Sequence, residues 1–223
     1  MPRTARVVLP GYPHHVTQRG NNRQDVFFTD DDRANYLRIL GVQCRKYGVA
    51  VHGYCLMTNH VHLVLTPAAA DGLAKAVGRT HFAYTHYLNK ARERSGHLWQ
   101  NRFYSCPVGQ DYMLGILCYT EQNPARAGLV SVPWDYPWSS AAAHVGGRTA
   151  SGLLDLSLWS RLTDPDGWRQ LLMAGLGDRE VEQMRRCTRL GHPLARDEEL
   201  RRLEAATGAR LRPRRVGRPR TRP

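Results

Sequence analysis

Acid is what this sequence is short of. Its 223 residues carry 19 Asp and Glu against 32 Lys and Arg, a formal net charge of +13. That imbalance points to a polyanionic partner, either nucleic acid or an anionic membrane surface. No run approaches the roughly 20 apolar residues of a membrane span, and the first residues lack the apolar region of a signal peptide. Nucleic acid is therefore the better partner, no membrane association is expected, and a cytoplasmic, nucleoid-associated location follows. Cysteine is also sparse. Cys44, Cys55, Cys106, Cys118 and Cys187 are odd in number and never fall as Cys-x-x-Cys. This argues against a disulfide framework or a zinc knuckle and fits buried apolar fillers in a reducing compartment. The bulk is ordinary: 42% hydrophobic and 23% charged residues suit a globular chain. There is room for one domain and an appendage, or for two small domains.

Residues 54–65, YCLMTNHVHLVL, read as the end of one apolar strand, a polar turn at Thr58-Asn59 and the start of a second strand. Side chains on a strand alternate between faces, so His60 and His62 project together while Val61, Leu63 and Leu65 face a core. Two imidazoles side by side form half of a metal site. Alternatively, they are two partly exposed histidines near a strand end.

Ahead of that stretch, residues 1–10 read as a loose lead-in and residues 12–18 as a first strand. The turn Arg19-Gly20-Asn21-Asn22-Arg23 could grip phosphates or base edges, or be a simple hairpin loop. Thr29 followed by Asp30, Asp31 and Asp32 is a helix start. Tyr36, Leu37, Leu40 and Cys44 mark its buried stripe, and Tyr47-Gly48 its end. A second helix is expected over residues 73–94. The stretch GHLWQNRFY at 96–104 is basic and aromatic and is expected to run as a strand through Val108, suited to base stacking or to sheet packing. A further helix, capped by Asp111, carries Met113, Leu114, Leu117 and Cys118 on its apolar side and is interrupted at Pro124. Tyr119 and Asn123 are four apart and share one face. If that face meets the histidine face, the Asn123 carbonyl oxygen can act as a third ligand, with Tyr119 beside the metal.

Four motifs in this order, TNHVH at 58–62, LWQNRF at 98–103, YTEQNPARAGLV at 119–130 and YPWSS at 136–140, resemble the REP-associated tyrosine transposases. These are relatives of the single-tyrosine HUH transposases of small insertion sequences, and the likeness covers residues 12–140. The resemblance implies an α+β fold with a central antiparallel sheet flanked by helices, matching the strand and helix order above. It makes His60 and His62 the metal ligands, Tyr119 the nucleophile and Asn123 the third, amide-bearing ligand. The implied reaction is metal-dependent transesterification of single-stranded DNA at palindromic repeats folded as hairpins, leaving a 5′-phosphotyrosine and a free 3′-OH. Mixed nitrogen and oxygen ligation with open positions suits Mg²⁺ or Mn²⁺. Arg19, Asn21, Asn22, Arg23, Trp99, Arg102 and Arg126 are the candidates for gripping DNA. A histidine-triad hydrolase would need a third alternating histidine where Val64 stands. A two-histidine phosphoesterase would pair His15-Val16-Thr17 with a poor second motif at His60. A non-cutting DNA-binding protein is the remaining alternative.

This reading divides the chain into a catalytic domain at 1–145, a helical region at 153–208 and an arginine-rich tail at 209–223. Residues 141–152 read as a linker. Helices over 178–190 and 197–207, separated by Gly191-His192-Pro193, form either a helix-turn-helix or a small bundle packing on the catalytic domain. Residues 210–222 hold seven arginines and no acid, a run expected to be disordered alone and to bind phosphates with strong salt dependence. Arg214, Arg215, Arg218 and Arg220 are its candidates for touching DNA. GRPR at 217–220 resembles an AT-hook core without the preceding arginine, and a generic basic tail is the simpler reading.

Overall fold

The computed structural model describes residues 6–147, 152–208 and 210–212. Strand β1 (His14–Arg19) is followed by a 3-10 turn at Asn21–Arg23 and helix α1 (Asp30–Lys46). Thr29 caps α1 through a reciprocal bond pair with Asp32, and Gly48 ends it at φ +61°. Strands β2 (Val49–Met57) and β3 (His60–Pro67) flank the turn at Thr58-Asn59. Helix α2 (Gly72–Ala91), strand β4 (Tyr104–Pro107), and helices α3 (Met113–Glu121) and α4 (Asn123–Arg126) come next. Helices α5 (Ala141–His144), α6 (Pro165–Ala174), α7 (Asp178–Leu190) and α8 (Asp197–Thr207) complete the described chain. The strands form one antiparallel sheet in the order β2-β3-β1-β4, so β3 and β1 are the inner pair. This is the expected α+β architecture.

Strand alternation divides the buried side chains between the two sheet faces. Val16, Val61, Leu63 and Leu65 pack under α1 and α2, with Tyr36, Leu40, Tyr84 and Leu88. Val64, Cys106 and Val108 pack on the other face under α3, α6 and α7, with Leu117, Trp168 and Met184. Two devices bring α3 close to the sheet. At a bulge in β2, Gly53 has no side chain to hold off Leu117, whose Cδ2 lies 2.6 Å from where a Cβ would stand. Trp138 and Ser140 bond to the free edge of β2 at Leu56 and Tyr54, so the edge is covered.

Several expectations are corrected. The basic-aromatic stretch is a loop, with only Tyr104–Pro107 in strand, because Asn101 turns left-handed (φ 53°) and Trp99 folds inward against Tyr36, His81 and Tyr84. Asp111 caps nothing: it lies in a 3-10 turn and pairs with Arg196 at 2.9 Å. The start of the expected linker is core, since Ala141, His144 and Val145 are buried in a helical turn. Part of the lead-in is packed as well: Leu9 is buried against Leu200, Leu203 and Leu211. Arg6 stacks 3.6 Å over Phe103. Helices α7 and α8 do not form a helix-turn-helix core. The buried side of α7 lies on the sheet, while Leu200 and Leu203 of α8 join the Leu9 cluster. The first tail residues are held to α8, Leu211 by burial and Arg212 by pairing with Glu204. No helix among the described residues is long and apolar enough to cross a membrane.

Candidate active site

The register of the inner strands assembles the site. Thr17 lies opposite His62 and Arg19 opposite His60, so His15, Thr17 and Arg19 share a face with the two histidines. Helix α3 crosses this face and delivers Tyr119. The result is a cavity of about 520 Å³, lined by His15, Thr17, Arg19, His60, His62, Tyr104, Tyr119, Asn123 and Arg126. Arg185, Thr188 and Arg189 of α7 form its far wall.

Inside the cavity the rings are packed edge to face. His60 and His62 have centroids 5.0 Å apart, and Tyr119 stands perpendicular to His62 at 5.6 Å and to His15 at 5.5 Å. His15 stacks on His62 at 5.2 Å. The Arg126 guanidinium lies 4.5 Å over the Tyr119 ring and donates to the Tyr119 carbonyl at 3.0 Å, which fixes the phenol's orientation. Burial, with Arg19 nearby, pushes His60 down to about 4. Burial alone pushes His15 down to about 3. His62 falls well below its usual value through burial first, and then through His60, His15, Arg126 and Arg19. The imidazoles are therefore neutral near pH 7, the form that ligates metals.

The donor set can be compared with what a divalent cation requires. His60 Nδ1 is 2.7 Å from Asn59 Oδ1, which can only accept, so Nδ1 carries the proton and Nε2 keeps its lone pair. Asn59 is oriented in turn by donating to the Arg23 carbonyl at 3.2 Å. Among the described residues no three His, Cys, Asp or Glu side chains stand together as a metal site. Two imidazoles would thus need amide, water or phosphate oxygens to complete a shell, which suits a Mg²⁺- or Mn²⁺-like ion. Asn123 is adjacent, but its Oδ1 already accepts from Arg126 at 2.9 Å while its Nδ2 donates to the Tyr119 and Thr120 carbonyls. Only its second lone pair is available to a ligand. With that oxygen included, the residues fit the ion.

Of the residues expected from sequence, His60, His62, Tyr119, Asn123, Arg19 and Arg126 are brought together here. Asn21, Asn22 and Arg23 form a turn beside Asn59, with Asn22 and Arg23 left-handed (φ 50° and 61°). Trp99 stacks on His81 at 4.4 Å, and Trp99 and Arg102 line a separate groove with Phe82 and His86. Arg214, Arg215, Arg218 and Arg220 lie outside the described residues. Sequence reasoning placed His15 only in the rival phosphoesterase motif and missed Asn59, Arg185, Thr188 and Arg189. For His15 a signal existed: it alternates with Thr17 and Arg19, but only the β1–β3 register shows which face that is.

A four-stranded antiparallel sheet with paired histidines facing a tyrosine helix defines the class of fold, and comparisons with known proteins name the family. The model of the family described as "Transposase IS200 like" matches residues 10–123. A Haemophilus influenzae protein named as a REP-associated tyrosine transposase is 28% identical over 108 residues, which is 44% of this chain and 61% of its own length. A solved structure of a REP-associated tyrosine transposase bound to a REP hairpin superposes with TM-score 0.55 at 21% identity. That match covers 70% of this chain and 90% of the solved one, and it is a likeness of fold. This chain belongs to the IS200-like transposase family.

Proposed function

We propose that this chain cleaves and rejoins single-stranded DNA at hairpin-forming repeats through a covalent 5′-phosphotyrosine on Tyr119. The observation that carries this reading is the Tyr119 ring set 5.6 Å from His62, in a cavity rimmed by Arg19, Arg126, Arg185 and Arg189. The phenol oxygen attacks phosphorus and the P–O3′ bond breaks. The O3′ leaves with the electron pair and gains a proton as the phenol loses one. The new ester keeps the energy of the old one, so a second 3′-OH can reverse the step onto another end. The rim arginines hold phosphate oxygens by charge-assisted bonds and orient the backbone for in-line attack. A divalent cation, Mg²⁺ or Mn²⁺, held by His60, His62 and Asn123, would supply charge stabilisation at the scissile phosphate.

The hairpin partner is proposed from the solved relative, which is bound to a REP hairpin. The groove beside Trp99 and Arg102, with Phe82 69% exposed at its edge, offers an aromatic and basic surface for a flanking single strand. The test is incubation with labelled hairpin DNA and Mn²⁺, followed by denaturing electrophoresis. A covalent adduct is expected, absent with EDTA and absent in Tyr119→Phe. Cleaved product without an adduct would indicate a hydrolase, and intact shifted DNA a binding protein; either overturns the proposal.

A further inference from the structure

Thr188 lies on α7, well outside the family-matched segment, yet it reaches the paired histidines. Its hydroxyl is 2.9 Å from the Met184 carbonyl one turn back and 2.7 Å from His15 Nδ1. His15 Nε2 is in turn 2.9 Å from His62 Nδ1. All three side chains are buried. Protons along such a chain can be ordered in two directions. A carbonyl only accepts, so a threonine proton given to Met184 leaves the hydroxyl oxygen to accept from His15 Nδ1–H. His15 Nε2 is then a lone pair, His62 donates from Nδ1–H, and His62 Nε2 is unprotonated. Run the other way, His62 Nε2 would carry hydrogen and could not ligate. The first order matches His60, whose Nδ1–H is committed to Asn59.

We propose that Thr188 anchors a relay through His15 that holds His62 in its Nδ1–H tautomer and presents Nε2 to a divalent cation. Helix α7 is then part of the metal site. It is held in place by Val181 and Met184, which pack in the same core as Cys106 and Val64. The inference rests on the reading of His62 as a metal ligand. Partners that orient ligating histidines typically change metal affinity by about 10- to 100-fold when removed.

The test measures Mn²⁺ binding by electron paramagnetic resonance without DNA, and histidine tautomers by long-range ¹H–¹⁵N NMR on the metal-free protein. Wild type should show His62 as Nδ1–H. T188V, which keeps the side-chain shape but cannot accept, should weaken Mn²⁺ binding by about 10- to 100-fold and mix the His62 tautomers. T188S should restore both. An Nε2–H His62 in the wild type overturns the relay whether or not T188V folds, and so does unchanged Mn²⁺ affinity in a folded T188V. A wild type with Nδ1–H His62 that takes up no Mn²⁺ overturns the ligand reading itself, a result distinct from failure of the relay.

Discussion

At the scale of single residues, Glu121 illustrates how the nucleophile's helix is held. Its side chain is fully buried two positions after Tyr119. Its Oε1 accepts from the Ser140 hydroxyl and from His144 Nδ1 at 2.6 Å, and its Oε2 from Trp168 Nε1 at 2.9 Å. One carboxylate thereby ties α3 to the covered edge of β2, to α5 and to α6. Glu121→Ala would strand two buried donors, His144 Nδ1 and Trp168 Nε1, while the Ser140 hydroxyl keeps the Tyr54 carbonyl at 3.3 Å. Each buried donor left unsatisfied costs about 1–3 kcal/mol. The expected outcome is a marked fall in the urea midpoint with an unchanged denaturant slope. An unchanged midpoint would mean that the cluster contributes little. Nothing in the motif YTEQN announces this role, because the partners lie 19 to 47 positions downstream.

At the scale of elements, α7 carries two kinds of residue on one face. Thr188 is buried against the sheet, while Arg185 and Arg189, exposed and four apart, wall the cavity opposite Tyr119. Among the described residues neither arginine forms an ion pair. An arginine so placed can neutralise a backbone phosphate and release its counterions. Arg185→Ala with Arg189→Ala should weaken single-stranded DNA binding in EDTA, and the salt slope should shrink by about 0.7 for each phosphate no longer neutralised. A slope equal to wild type would remove α7 from the DNA path. The helix-turn-helix reading of α7 and α8 failed for a related reason: the apolar side of α7 is spent on the sheet.

At the scale of the whole molecule, buried neutral histidines couple stability to pH. His14 accepts from Leu9 N through Nε2 at 3.1 Å and binds the Tyr12 carbonyl through Nδ1 at 2.8 Å, an arrangement that needs the neutral ring. Burial pushes His14 down to about 4 and His81 down to about 3. An unfolded histidine titrates near about 6.5, so as pH falls below that value the unfolded chain takes up protons that the folded chain refuses. Stability should be full above about pH 6.5 and decline towards pH 4, before most carboxylates protonate. Urea midpoints across that range check this, and His81→Gln should flatten the decline.

Local patterning determined much of the chain by itself. The Thr29 cap, the α1 stripe, the boundaries of β2 and β3, and the pairing of His60 with His62 follow from periods of 3.6 and 2 and from capping chemistry. The four-residue spacing likewise set Tyr119 and Asn123 side by side, although α3 ends at Glu121 and Asn123 opens the next helix, α4, with Pro124 in its first turn. Tertiary structure alone decided what those faces meet. Sheet register brought His15 to His62, the bare backbone of Gly53 let α3 approach, and burial turned 141–145 from apparent linker into core. The physical reason is range: hydrogen-bond and helical periods act within a few residues, whereas register and docking are set by burying apolar area between segments far apart in the chain.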